Sequence, residues 1–271
     1  MCGISVILSS KGKGIASILN LNSSIRHRGP DDEGYYSFSF EDGQARSLFG
    51  NESMPEAIDK LQLNSGYENE QQNANVLLGH RRLAIRDTSY RAHQPMISNC
   101  GEYVIAYNGE VYNADDLRSE LIEKGYSFQS ASDTEVVLNG YLEWGEDVLS
   151  RLNGMFSIVI FDRLDNEVFA ARDRFGIKPL YYWISPDGDV AFASEIKQFQ
   201  SLQGWEARLN GAMAFDFLNW GQTDHTDQTM FKNVLHVPAG HSCRYSLENI
   251  GEKPSFRRWY QLDSKPYEGD F

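Results

Sequence analysis

The chain has 271 residues, a formal net charge of −13 and 41% hydrophobic content, with fifteen Phe among them. That is enough apolar material for a sizeable core, and the negative balance works against tight binding to nucleic acid or to an anionic membrane surface. No run approaches the roughly 18 consecutive apolar residues of a membrane span, no basic segment precedes the apolar run Ile4–Leu8 as a signal peptide would require, and three separated cysteines do not make a disulfide framework. These features fit an acidic cytoplasmic protein with reduced thiols.

Taken in chain order, Gly3 to Ser9 is short and rich in β-branched residues and predicts a buried strand. Ile15, Ile18, Leu19 and Ile25 follow at helical spacing until the turn at Gly29-Pro30. Tyr35 to Phe40 predicts a second strand. From about 41 to 75 the sequence turns polar, predicting an exposed insertion with a short helix near Pro55–Leu61. Val76 to Ile85 and Tyr103 to Tyr107 predict strands, the latter ending at Asn108-Gly109. Asn113 is placed to cap a helix carrying Leu117, Leu121 and Ile122 that Gly125 closes, and Ser132 or Asp133 to cap one carrying Val136, Val137, Leu138 and Leu142. Strands are then predicted at Met155–Asp162, Glu167–Arg172, Leu180–Ile184 and Val190–Ala193, helices at Glu195–Phe199 and Gly211–Trp220, and a strand pattern over Val234–Tyr245 broken by Pro238-Ala239-Gly240. Clustered strands and clustered helices predict an α+β fold of stacked antiparallel sheets with helices outside, in one continuous domain.

Cys2 is the residue that points to chemistry. A cysteine near a chain start is ordinarily a small hydrophobe, but aminopeptidase removal of Met1 would give this one a free α-amine. Such an amine has a reference pKa of about 7.7–8.0 and is partly neutral at cellular pH. It can serve its own thiol as general base, so that one residue supplies nucleophile and base. Attack on a carboxamide needs donors for the resulting oxyanion. Asn108 and the Gly109 N–H, at a strand end, could supply them, although Asn-Gly is also an ordinary turn. Arg82 offers a planar fork to a substrate α-carboxylate, and Asp133 or Glu110 a carboxylate to an α-ammonium; singly, each also suits a surface charge or helix cap. The six histidines lack the spacing of a zinc site, so no metal is expected, and Cys100 and Cys243 read as inert thiols.

Eight motifs occur in order: MCGI at the start, RHRGPDD at Arg26–Asp32, GHRRLAI at Gly79–Ile85, HQPM at His93–Met96, YNGEVYN at Tyr107–Asn113, SDTEVVL at Ser132–Leu138, RDRFGIKPLYY at Arg172–Tyr182 and ASEIK at Ala193–Lys197. Together they resemble the class II glutamine amidotransferase domain of the asparagine synthetase family. The resemblance implies the N-terminal nucleophile hydrolase fold, a four-layer αββα sandwich. It implies Cys2 as nucleophile, Asn108 and Gly109 as oxyanion hole, and Arg82, Glu110 and Asp133 as the glutamine-binding residues. Arg28 and Asp31 would order the loop beside the site, and GIKPLYY and ASEIK would be scaffold.

By the same resemblance, residues 2–220 are expected to form the glutaminase domain, including the polar insertion at about 41–75. Residues 221–271 would complete it and lead toward an ATP-pyrophosphatase synthetase domain. The SGGLDS-like loop of that domain does not occur here, so ATP and Mg are expected only in a synthetase half, supplied by further sequence or by a separate chain. The glutaminase half needs no cofactor. The expected partners are L-glutamine and that synthetase half, with a homodimer possible and neither nucleic acid nor membrane involved. Alternatives left open are a non-catalytic assembly module for a partner synthetase, hydrolysis of another amide, and an ammonia acceptor other than aspartate.

Overall fold

The computed structural model describes residues 1–263. Two sheets form the centre of the molecule. The first has eight strands: β1 Gly3–Gly14, β2 Asp32–Phe38, β3 Ala45–Phe49, β4 Asn64–Ser65, β5 Asn73–Arg82, β10 Tyr181–Ile184, β11 Val190–Ala193 and β12 Val234–His236, in the order β12-β10-β11-β1-β5-β2-β3-β4. The second has six: β6 Met96–Ile97, β7 Tyr103–Val111, β8 Gly154–Asp162, β9 Glu167–Arg172, β13 His241–Ser246 and β14 Arg257–Arg258, in the order β14-β13-β9-β8-β7-β6. Every pairing is antiparallel except β3 with β4.

The period-two alternation of the strands builds the layers. Ile4, Val6 and Leu8 of β1, Tyr36 and Phe38 of β2, and Val76 and Leu78 of β5 meet Val104 and Ala106 of β7, Val159 and Phe161 of β8, and Val168 and Ala170 of β9 in one core between the sheets. Ile7, Tyr35 and Leu77 face the other way, beneath Ile15, Ile18 and Leu19 of helix α1 (Ile15–Ser23). Ile105, Tyr107, Ile158 and Ile160 likewise face outward beneath α3 (Ala114–Glu123) and α4 (Asp133–Trp144), which contribute Leu117, Leu121, Val137 and Leu138. The result is the expected α+β arrangement, helix on sheet on sheet on helix.

Most predicted elements fall within a few residues of their observed bounds, and the departures have identifiable causes. The polar stretch 41–75 is built into the first sheet as its edge: β3 pairs with β2 from Tyr35↔Leu48 to Phe38↔Ala45, and Leu48 is packed under α1. The short helix within it is α2 (Pro55–Lys60). An edge strand buries little of itself, so its composition remains polar. The pattern at Val234–Tyr245 is two strands in different sheets, with Pro238-Ala239-Gly240 carrying the chain across. The segment after Glu195 is a 3₁₀ turn, Ile196–Ser201. Ser132 caps α4, its hydroxyl accepting from the Glu135 amide at 3.4 Å. Asn113 sits at the N-cap of α3 without a capping bond and instead bridges to the Arg151 carbonyl and the Asn153 amide. α5 (Val148–Arg151) and α6 (Gly211–Trp220) complete the helices. The last eight residues of the predicted C-terminal extension lie outside the described residues.

Candidate active site

Antiparallel pairing brings the start of β1 and the end of β5 to one end of the sandwich, Gly3 lying opposite Arg81. Around that end lies a cavity of about 300 Å³ whose walls include Cys2, Arg82, Asn108, Gly109, Glu110 and Asp133. Six residues from four separate stretches of the sequence are thus gathered at one place.

Cys2 is half-buried. Its sulfur accepts the Leu83 amide at 3.4 Å, and its thiol lies 3.7 Å from the Leu83 carbonyl. Burial pushes the thiol pKa up, the Asp133 charge acts the same way, and the Leu83 N–H, the terminal amine and Arg82 only partly oppose them. The strand start is anchored from three directions. Arg28 Nε donates to the Cys2 carbonyl at 2.8 Å, and its Nη1 to Glu195 at 3.1 Å. The Ile4 amide donates to Ser194 Oγ at 2.9 Å, and Gln198 Nε2 to the Ile4 carbonyl at 3.2 Å. Gly29 lets this happen: a Cβ there would sit 2.3 Å from the Arg81 carbonyl carbon, so only glycine allows the loop to lie against β5. Asp31 ties the same loop to the strand end, accepting the Ala84 amide at 2.8 Å.

The backbone of β7 sets out the donors. Phe156, opposite Gly109, spends its amide and carbonyl on Asp173, so the Gly109–Phe156 pair is not hydrogen-bonded and the Gly109 N–H points away from β8. The amides on either side in the same orientation are taken: that of Tyr107 donates to Gln94 Oε1 at 2.8 Å, and that of Val111 to Asp133 Oδ2 at 3.0 Å. Gly109 lies between them at the cavity wall. A Cβ at this position would meet the Met155 carbonyl at 2.6 Å and the Tyr107 ring at 2.7 Å. Asn108 is 1% exposed, and its Nδ2 is buried with no partner among the described residues. Several buried polar atoms lack a partner among the described residues, and Asn108 Nδ2 is one that belongs to a residue of the cavity wall, next to the outward Gly109 amide.

Arg82 is buried and holds the turn after β5, donating Nη1 to the Ser89 carbonyl at 2.9 Å and Nη2 to the Asp87 carbonyl. Among the described residues two of the five guanidinium hydrogens are used, and three remain. Asp133 opens α4, and its Oδ2 accepts from both Tyr107 Oη, at 2.9 Å, and the Val111 amide. Glu110 is exposed at the cavity rim.

Three residues that sequence reasoning left without a role belong to this frame. His80 is fully buried, and its Nε2 bonds the Tyr107 carbonyl at 2.9 Å, linking β5 to β7 one residue before Asn108. Burial lowers its pKa to about 3, the Arg82 charge acting in the same direction, so the imidazole is neutral and Nε2 carries the hydrogen. Gln94 holds the Tyr107 amide, and Lys178 lines the cavity. Each lies inside a quoted motif, but no local pattern says which way its side chain points. Among the described residues no group of His, Cys, Asp and Glu is gathered as a metal site would need.

The fold and the gathered residues point to a glutamine amidotransferase, and comparison with known proteins agrees. Residues 64–260 match the family described as glutamine amidotransferase domain, and the chain belongs to that family. Among curated proteins it is 37% identical over 253 residues to asparagine synthetase [glutamine-hydrolyzing] 1 of Bacillus subtilis, covering 92% of this chain and 33% of that one. It is 32% identical over 286 residues to putative asparagine synthetase [glutamine-hydrolyzing] 2 of Methanocaldococcus jannaschii, covering 98% and 47%. The chain therefore spans less than half the length of these relatives. Among solved structures, the glutamine phosphoribosylpyrophosphate amidotransferase of B. subtilis superposes with a TM-score of 0.68 at 20% identity, over 96% of this chain and 50% of that one. A glutamine aminotransferase class-II domain protein from Silicibacter pomeroyi gives 0.57 at 12%, over 96% and 100%.

Proposed function

We propose that this chain is the glutaminase half of an asparagine synthetase-type amidotransferase, hydrolysing L-glutamine to glutamate and ammonia at Cys2 after removal of Met1. The single observation that carries the proposal is the pair Asn108 and Gly109, two residues that line the same cavity as Cys2, the first with Nδ2 unpaired among the described residues and the second with its N–H turned away from β8. The three free hydrogens of the Arg82 guanidinium suit the α-carboxylate of glutamine. The Asp133 carboxylate, with Glu110 at the rim, suits its α-ammonium.

The pKa directions suit a neutral pair better than a preformed thiolate. Burial raises the thiol, and it lowers the terminal amine, which in the structure is carried by Met1. The amine takes the thiol proton as sulfur attacks the δ-carbonyl, and the tetrahedral oxyanion forms against Asn108 and Gly109. The ammonium then protonates the leaving nitrogen, releasing ammonia and leaving a γ-glutamyl thioester. Water, deprotonated by the same amine, adds to the thioester carbonyl. Collapse expels the thiolate, which recovers its proton as glutamate leaves.

This half-reaction calls on no metal or nucleotide. ATP and Mg belong to a synthetase half, in the same polypeptide or a separate chain, and aspartate is the proposed acceptor, in keeping with the names of the curated relatives. A cytoplasmic setting is proposed with it; no helix among the described residues is long and apolar enough to cross a membrane. The test is ammonia release from glutamine by native protein and by Cys2→Ala. Native protein should be active and the variant inert, and activity that survives in the variant would refute the assignment.

A further inference from the structure

The junction of β7 with α4 is more tightly ordered than the proposed chemistry alone requires. Asp133 is the first residue of α4, where a short carboxylate ordinarily turns back to a helix amide. Here Ser132 takes the Glu135 amide, and Asp133 reaches across to β7 instead. Its Oδ2 is held from both sides of Gly109: by the Tyr107 hydroxyl at 2.9 Å, two residues before it, and by the Val111 amide at 3.0 Å, two residues after. Side chains at 107 and 109 share one face of the strand. A Cβ at 109 would lie 2.7 Å from Tyr107 Cζ and Oη, so glycine there lets the tyrosine ring lie along that face and reach Asp133. Gln94 ties the same two elements a second time, Oε1 accepting the Tyr107 amide at 2.8 Å and Nε2 donating to Thr134 Oγ1 at 3.2 Å.

Tyr107 is 2% exposed and Asp133 8%, so the bond between them is shielded from water. Burial, and after it the Asp133 charge, hold the phenol well above its usual pKa, so the hydroxyl keeps its proton and donates. Among the described residues both hydrogen bonds to Asp133 go to Oδ2 and none to Oδ1, and the residue lines the cavity that Cys2 also lines.

We infer that Tyr107 is a positioning residue that selects for substrates bearing an α-ammonium, by tethering Asp133 Oδ2 so that Oδ1 is presented to that group. The inference rests on the proposed reading of Asp133 as the α-ammonium site. A carboxylate held by one donor can still turn about its side-chain torsions and must give up that freedom when it binds. Held by a side chain and a backbone amide of the neighbouring strand, it meets the ammonium already oriented.

The test is steady-state hydrolysis of glutamine by Tyr107→Phe, which keeps the ring beside Gly109 and removes only the donor. KM should rise by about 3–10-fold, the worth of one hydrogen bond, with kcat changed far less. Glutaramate has the carboxamide and carboxylate of glutamine but no α-amine, and it should compete with glutamine with the same inhibition constant in both proteins. Asp133→Asn should raise KM by itself, and adding Tyr107→Phe to it should raise KM no further. A fall in kcat at unchanged KM, or an equal weakening of glutamine and glutaramate, overturns the inference, since either would show Tyr107 supporting the cavity as a whole. If Asp133→Asn raises KM while Tyr107→Phe leaves it native, only the role of Tyr107 fails. If Asp133→Asn leaves KM native as well, the α-ammonium reading of Asp133 fails with it.

Discussion

At the scale of single residues, a donor buried without a partner forfeits its hydration, and Asn108 Nδ2 is in that position. Such an arrangement is useful where the missing acceptor is an oxyanion, because the donor meets it without reorganisation. Asn108→Ala should therefore lower kcat for glutamine by about 10²–10³ with a small change in KM. An unchanged kcat in steady-state ammonia release would remove the oxyanion role. His80 carries a prediction about stability. Its folded pKa is about 3, against a reference of about 6.5 in the unfolded chain. The unfolded state therefore binds the extra proton first as pH falls. The stabilising contribution is complete above about 6.5 and is lost from there down toward 3, at up to about 1.4 kcal/mol per pH unit. His80→Gln, which can still donate to the Tyr107 carbonyl, should flatten that part of the stability–pH curve in denaturant titrations. A curve as steep as the native one would assign the acid sensitivity to other groups.

At the scale of elements, the start of β1 is held by groups from distant parts of the chain: Arg28, Ser194 and Gln198 fix the backbone of Cys2 and Ile4. The RHRGPDD loop lies against β5 because Gly29 leaves room, and a methyl group there would collide with the backbone of Arg81 and Arg82. Gly29→Ala should cost about 1–3 kcal/mol and raise KM for glutamine through displaced Arg82. Thermal unfolding together with the kinetics checks this; an unchanged KM would detach the loop from substrate binding. The strands were legible because their apolar periodicity is strong, as at Ile4, Val6 and Leu8, and the N-cap of α4 was legible to within one residue, Ser132 or Asp133. The edge formed by β3 and β4 was not, since it buries little beyond Leu48 and its sequence resembles loop. Nor was the work of ASEIK, which looks like scaffold locally and reaches the start of β1 through Ser194 on the Ile4 amide and Glu195 on Arg28, contacts across more than 160 residues.

At the scale of the whole molecule, the two sheets stand together through the core between them, where Phe161 of β8 meets Phe38 and Tyr36 of β2 with ring centroids 5.4 and 6.2 Å apart. Phe161→Ala should destabilise the fold by about 3–5 kcal/mol in chemical denaturation. A loss below about 1 kcal/mol would mean the sheets do not depend on this contact. The gathering of Cys2, Arg82, Asn108, Gly109 and Asp133 at one end of the sandwich follows from antiparallel pairing and from the outward turn of alternate β7 amides. The sequence motifs named those residues through a resemblance, but the direction of the Gly109 N–H and the open Asn108 donor required the register of β7 on β8. The position of Lys178 at the same cavity was likewise invisible in GIKPLYY. The most direct measurement of the central claim is intact-mass spectrometry of protein treated with a diazo-ketone analogue of glutamine, with ammonia release followed on the same sample. One adduct on Cys2, formed only by molecules lacking Met1 and in step with loss of activity, is the predicted result. Molecules that keep Met1 yet hydrolyse glutamine and take up the label would contradict it.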